Sequence, residues 1–228
     1  MSDPNIQSPF NALPPVIAAL AIVIVGVEIV FYLGSTGLVG GPEAIGWRLQ
    51  AVQRFAYSPD IFAWMWQNGT WPSEHVVRVF SYLFLHGNFT HALFGAVIVL
   101  ALGKMVGEVF HPVATLLVFF ASGAVGAIAY TAIWSAPVPL IGSYPGAYGF
   151  IGAFTFLMWA RLRVGGENQM RAFSLIAMLL GIQLLFGALF GSNGDWVADL
   201  CGFVTGFALS FFLVPGGWAR IRAMIRHD

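Results

Sequence analysis

The sequence predicts an all-α polytopic membrane protein, a bundle of six transmembrane helices with an interfacial first loop. Three observations predict it. Of 228 residues, 58% are hydrophobic and 9% charged, against about 25% charged in a soluble domain. The charged residues are separated by apolar gaps long enough for a hydrocarbon core about 30 Å thick, which takes roughly 20 residues at 1.5 Å each. Proline and glycine clusters punctuate those gaps where one crossing should end and the next begin.

Residues 1–14 form a short N-terminal segment with no basic region ahead of the first apolar run, so no cleaved leader is expected. Pro14-Pro15 opens the first span, about 15–34, interrupted only by Glu28. The long stretch 35–86 carries GWRLQAVQRFAYSPDIFAWMWQNGTWP, rich in Trp and Phe with scattered charge, and reads as amphipathic structure lying in the interface. Val79 to Gly103 has no Asp, Glu, Lys or Arg, and HGNFTH within it sets the second span at about 89–108. Between Glu108 and Arg161 lie 52 residues without Asp, Glu, Lys or Arg. That is too many for one crossing, so SAPVPLIGSYPG divides spans three and four, about 112–134 and 145–163. Spans five and six follow at about 171–190 and 196–214, the last closed by Pro215-Gly216-Gly217. The membrane domain is thus 15–217, and 218–228 is a basic tail with no soluble domain expected on either side.

Six spans put both ends on one side. Lys104, Arg161, Arg163, Arg171, Arg220, Arg222 and Arg226 fall on that side, whereas Arg48, Arg54 and Arg78 are spread over the long loop. The positive-inside rule then predicts cytoplasmic termini, and a bacterial inner membrane is the expected location. Ten Lys or Arg against ten Asp or Glu leave no net charge and no nucleic-acid footprint. Cys201 is the sole cysteine and cannot form an internal disulfide.

Polar residues at membrane depth are costly and become functional candidates. They are Glu28 in span one, His86 and His91 before and within span two, Tyr144 and Tyr148 in span four, and Asp199 with Cys201 in span six. His86 and His91 are five apart and do not share a helix face, so no metal site is expected, and no cofactor is implied. Cys201 reads as a small packing residue. Ala198, Gly202 and Gly206 repeat every four residues, giving span six a small-residue face. Gly142, Gly146, Gly149 and Ala153 give span four another, and packing of the two is expected to bring Asp199 to the start of span four.

Three blocks, in order, carry a family resemblance. FLHGNFTHALFG resembles the second-span block of the rhomboid intramembrane proteases, PLIGSYPGAYGFIGAF their fourth-span Gly-x-Ser-Gly block, and GDWVADLCGFVTGF their sixth span. The likeness covers roughly residues 47–217 and includes Trp47-Arg48 in the long loop. It implies a helical bundle able to admit a transmembrane helix laterally, and a dyad of Ser on span four with His on span six, assisted by the His and Asn of span two. The departures fall on that chemistry. Tyr144 stands at the Ser position, Pro145 at its following Gly, Asp199 at the His, Cys201 at a Gly, and Gly95 at the Asn. His91 alone of the four is retained, and Tyr148, Gly149 and Gly152 fall on the family's packing aromatic and glycines. A second register, Gly146-Ala147-Tyr148-Gly149, also offers Tyr for Ser.

A tyrosine hydroxyl, pKa about 10, beside a carboxylate is a poor acyl nucleophile, and Asp is a weak general base. Ser143, one residue from the motif position, is the fallback nucleophile, turned about 100° away on an ideal helix. The resemblance therefore implies a pseudoprotease that binds a client's transmembrane helix or a larger membrane complex in the lipid bilayer. The alternatives are a serine endopeptidase using Ser143 and a small proton-coupled transporter using Glu28 and Asp199. Asp199 is expected to be a buried acid that is either protonated or hydrogen-bonded to Tyr144 or Tyr148, tying span six to span four.

Overall fold

Pro15 occupies the first turn of α1 (Pro15–Ser35), where its missing N–H costs nothing. The same device starts α7 (Pro112–Ile133), with the His111 ring accepting from the Val113 amide at 3.3 Å. Asn88 caps α6 (Phe89–Gly107), its side-chain oxygen accepting from His91 N–H at 2.9 Å. The structure, a computed structural model, describes residues 12–134, 138–190 and 193–217. Most of the N-terminal segment, Ser135–Pro137 of the predicted break, and the basic tail with Arg220, Arg222 and Arg226 lie outside the described residues.

Four more short helices build the long first loop: α2 (Trp47–Phe55), α3 (Pro59–Asn68), α4 (Ser73–Val76) and α5 (Arg78–Ser81). After α7 come α8 (Tyr144–Val164), α9 (Ser174–Phe190) and α10 (Trp196–Leu213). Among the described residues there is no strand, only one isolated antiparallel bridge between Tyr57 and Leu140. The molecule is an all-α bundle.

Among the described residues, five helical segments are long and apolar enough to cross a membrane: α1, α6, α7, α10 and Gln169–Leu189, which covers α9 up to its penultimate residue. The fourth expected span, α8, is absent from that group, and its position explains why. From Pro145 to Ala153 every residue of α8 is buried, because α6, α7 and α10 surround it. A helix enclosed by protein has little need of a lipid-facing surface, so it carries Gly, Tyr and Thr where the outer helices carry Val, Leu and Ile.

Small residues set the spacing around α8. A side-chain carbon on Gly206 would strike the Gly149 carbonyl, and one on Gly202 the Pro145 carbonyl; Gly152 faces the backbone of Phe203 in the same way. Ala198 meets α7 instead, at Gly126. Gly146 is filled by the Phe119 ring of α7, and Gly142 faces the His91 ring, so only part of the expected span-four face meets α10. Helix α9 is the outlier: 12% of its span is buried, against 33–39% for the other four apolar helices.

The loop helices hold the chain that leads into α8. Tyr57 and Leu140 exchange both backbone hydrogen bonds at 3.2 and 2.9 Å, and Gly142 N–H donates to the Tyr82 carbonyl at 3.0 Å. The Tyr57 hydroxyl lies 2.6 Å from Thr131 Oγ1 on α7. Gly142 turns the backbone at φ +115°, a conformation open to glycine, directly ahead of Ser143 and Tyr144.

Candidate functional site at the start of the buried helix

Tyr144 and Asp199, the residues standing at the expected nucleophile and base positions, line one small cleft with Pro145, Asp195, Tyr82 and Ile141. Its free volume is about 30 Å³, room for a water molecule or two and far below the roughly 300 Å³ of a ligand pocket. The Tyr144 ring stacks on His91 at 4.9 Å with planes 17° apart, and its hydroxyl donates to the His91 carbonyl at 3.2 Å. That hydroxyl is thus engaged on the α6 side of the cleft.

Asp199 is 4% exposed. Its Oδ2 accepts from Gln183 Nε2 of α9 at 2.8 Å, and Gln183 Oε1 accepts from the Tyr148 hydroxyl at 3.4 Å. A direct Tyr–Asp bond is one of the two arrangements that the packing of the small-residue faces predicts. The structure corrects this: Gln183 intervenes, so the network runs from α8 through α9 to α10 and reaches the loosely packed helix. Gln183 was missed although the signal was there, since it is the one amide in the otherwise apolar run Ser174–Phe190.

Ser143 caps α8 without making a side-chain cap bond and is fully buried. Its Oγ lies 3.3 Å from His86 Nε2, and its own amide donates to that same nitrogen at 3.2 Å. It therefore turns toward His86 and toward Gly95 of α6. Burial, reinforced by the neighbouring His91, pushes the His86 imidazolium down to about 4. The ring is then neutral near pH 7, with Nε2 as acceptor. Gly95 makes this arrangement possible, because a side-chain carbon there would overlap Ser143 Oγ and come within 3.2 Å of His86 Nε2. An Asn at position 95 and the observed Ser143 rotamer exclude each other.

His91 is held by two local bonds, its amide on Asn88 and its Nδ1 accepting from Gly87 N–H at 3.3 Å. The His86 and His91 rings meet edge to face at 5.2 Å. No group of three or more His, Cys, Asp or Glu side chains able to hold a metal occurs among the described residues. Cys201 is half-buried on α10, and its carbonyl accepts from Thr205 Oγ1 at 2.7 Å.

Glu28 lies apart from this cleft. It is 3% exposed and forms a two-point ion pair with Arg48, Oε1 to Nη2 at 2.7 Å and Oε2 to Nη1 at 2.8 Å. Arg48 also donates to the His86 carbonyl and lies 5.1 Å over the Phe31 ring. The pair pins the first loop to α1 and supports the backbone that presents His86.

The family model of the Rhomboid domain matches residues 73–216, more than half of the chain. The chain belongs to the rhomboid family. It is also similar to a protein of Bacillus subtilis (strain 168) named Putative rhomboid protease YdcA, 26% identical over 147 residues that cover 64% of this chain and 69% of that one. The protein is accordingly a rhomboid-like, multi-pass integral membrane protein surrounded by lipid.

Proposed function

We propose that this rhomboid acts without proteolysis, as a pseudoprotease that holds a client's transmembrane helix or a larger membrane complex. One observation carries the reading. Tyr144 and Asp199 occupy the places that the family resemblance assigns to the Ser–His dyad, and both are tied into hydrogen bonds around a cleft of about 30 Å³. A peptide carbonyl under attack needs a free nucleophile, a base within reach and an oxyanion donor. Tyr144 bonds to a carbonyl, Asp199 is engaged by an amide, and Pro145 supplies no N–H. The weakly packed α9 is the element able to move aside for a client helix, with the Tyr148–Gln183–Asp199 chain as its tether. The Lys and Arg distribution supports an inner-membrane setting with cytoplasmic termini.

A second reading rests on the Ser143–His86 pair at 3.3 Å, which has the residue types of a serine hydrolase, and on the name of the Bacillus relative. Against it, Ser143 is fully buried and the His86 lone pair already accepts the Ser143 amide. The transporter reading loses one of its two acids, because Glu28 is matched by Arg48. The test is a fluorophosphonate probe and a transmembrane substrate offered to the protein in lipid, beside an active rhomboid. No Ser143 adduct and no cleavage are expected; cleavage lost in Ser143→Ala would establish the protease instead.

A further inference from the structure

The first loop carries three arginines, and they are partnered differently. Arg48 is matched by Glu28. Arg54, at the end of α2, and Arg78, at the start of α5, have no carboxylate within ion-pair distance among the described residues. Both instead line one pocket of about 390 Å³ with Phe55, Ser73, Glu74 and His75. Among the described residues, Arg78 Nε and His75 Nδ1 are shielded from solvent and have no hydrogen-bond partner, a cost to the fold at this spot. Burial pushes the Arg78 guanidinium below its ordinary value, with Glu74 opposing. Glu74, 78% exposed and 3.9 Å from His75, lines the pocket too, so two guanidinium groups face one carboxylate there.

The level of the pocket in the membrane follows from its neighbours. The His75 ring meets Trp64 edge to face at 6.4 Å. Trp64, Trp66 and Trp71 are all exposed, as are Val77 between α4 and α5 and Phe80 on α5. Exposed tryptophans beside exposed aliphatic residues mark the head-group level of a bilayer. Two forked donors, an imidazole and the Ser73 hydroxyl converging at that level have the chemistry of a phosphate site.

We propose that this pocket binds the phosphate of an anionic glycerophospholipid, seating the first loop on the head-group layer. The full chain, stripped of lipid in a neutral detergent, is titrated with phosphatidylglycerol, phosphatidylcholine or inorganic phosphate, and bound lipid is read by native mass spectrometry. Phosphatidylglycerol is expected to be preferred over phosphatidylcholine and to bind about fivefold more weakly to Arg54→Gln. Arg163→Gln, which removes the same charge at the far end of α8, is expected to leave it unchanged. Arg54 carries the test because its guanidinium lies over the neighbouring Phe55 ring at 5.3 Å, whereas Arg78 is also tied to the fold by a bond to the Ala56 carbonyl. Equal affinity in Arg54→Gln and the parent, or no preference over phosphatidylcholine, would overturn the proposal. Inorganic phosphate that displaces the lipid and binds as tightly would overturn the lipid assignment.

Discussion

Replacing Gly206 by Ala tests the contact that brings Asp199 to the start of α8. In a helix interior Ala is favoured over Gly by about 1 kcal/mol, so on local grounds the change stabilises. At Gly206 the added carbon meets the Gly149 carbonyl, a backbone atom that cannot rotate away. Overpacking of that kind costs about 1–3 kcal/mol, and the rigid neighbour places this case toward the upper end. The net expectation is a loss of about 1–2 kcal/mol. Gly26 on α1 is the internal control, since no atom of the described residues lies within 4 Å of a carbon added there. Gly26→Ala is expected to gain up to about 1 kcal/mol, separating two chemically identical substitutions by about 2–3 kcal/mol. Reversible unfolding in mixed micelles, titrated with a denaturing detergent, measures both. If Gly206→Ala proves as stable as Gly26→Ala, the α8 and α10 backbones are not in contact and the geometry of the cleft is wrong.

Three further expectations follow from the polar contacts. In a double-mutant cycle of Glu28→Gln and Arg48→Gln, unfolding should give a coupling of about 2 kcal/mol, moderated by the 26% exposure of Arg48; additive losses would mean the ion pair contributes nothing. Asp199→Asn keeps an acceptor for Gln183, so it should stay within about 0.5 kcal/mol of the parent while Asp199→Ala loses about 1–2 kcal/mol; equal stability would remove the case for the α8–α9–α10 tether. His86 is held neutral by burial, down to about 4 against 6.5 in the unfolded chain. The unfolded state therefore binds the extra proton, and stability should fall by about 2 kcal/mol between pH 7 and pH 5, with the loss complete below about pH 4. The same titration on His86→Gln should be flatter, and an unchanged slope would assign the pH dependence to other groups.

Charge gaps and proline punctuation made the helical bundle legible in the sequence because lipid imposes one rule on every outer helix. The rule weakens for α8, whose apolarity is low since protein rather than lipid surrounds it. The small-residue face of α10 was readable from its four-residue spacing. Which partner each small residue meets was not, and Ala198 turned out to face α7. Candidate site residues were found by type, as polar groups in apolar runs, yet their partners depend on tertiary placement. Glu28 and Arg48 are 20 residues apart and on different helices, and Gln183 reaches Asp199 only because α9 leans on α10. The direction of Ser143 was hidden for another reason: it depends on the missing side chain at Gly95, on a different helix.

Covalent labelling combined with cleavage addresses the central proposal most directly. The intact protein in lipid is exposed to a fluorophosphonate and to a transmembrane substrate, with an active rhomboid alongside, and both adducts and cut sites are read by mass spectrometry. A buried Ser143, a bonded Tyr144 and an engaged Asp199 predict neither adduct nor cut in this protein while the control shows both. An adduct on Ser143, with cleavage that disappears in Ser143→Ala, would contradict the account and make His86 and Ser143 the working pair.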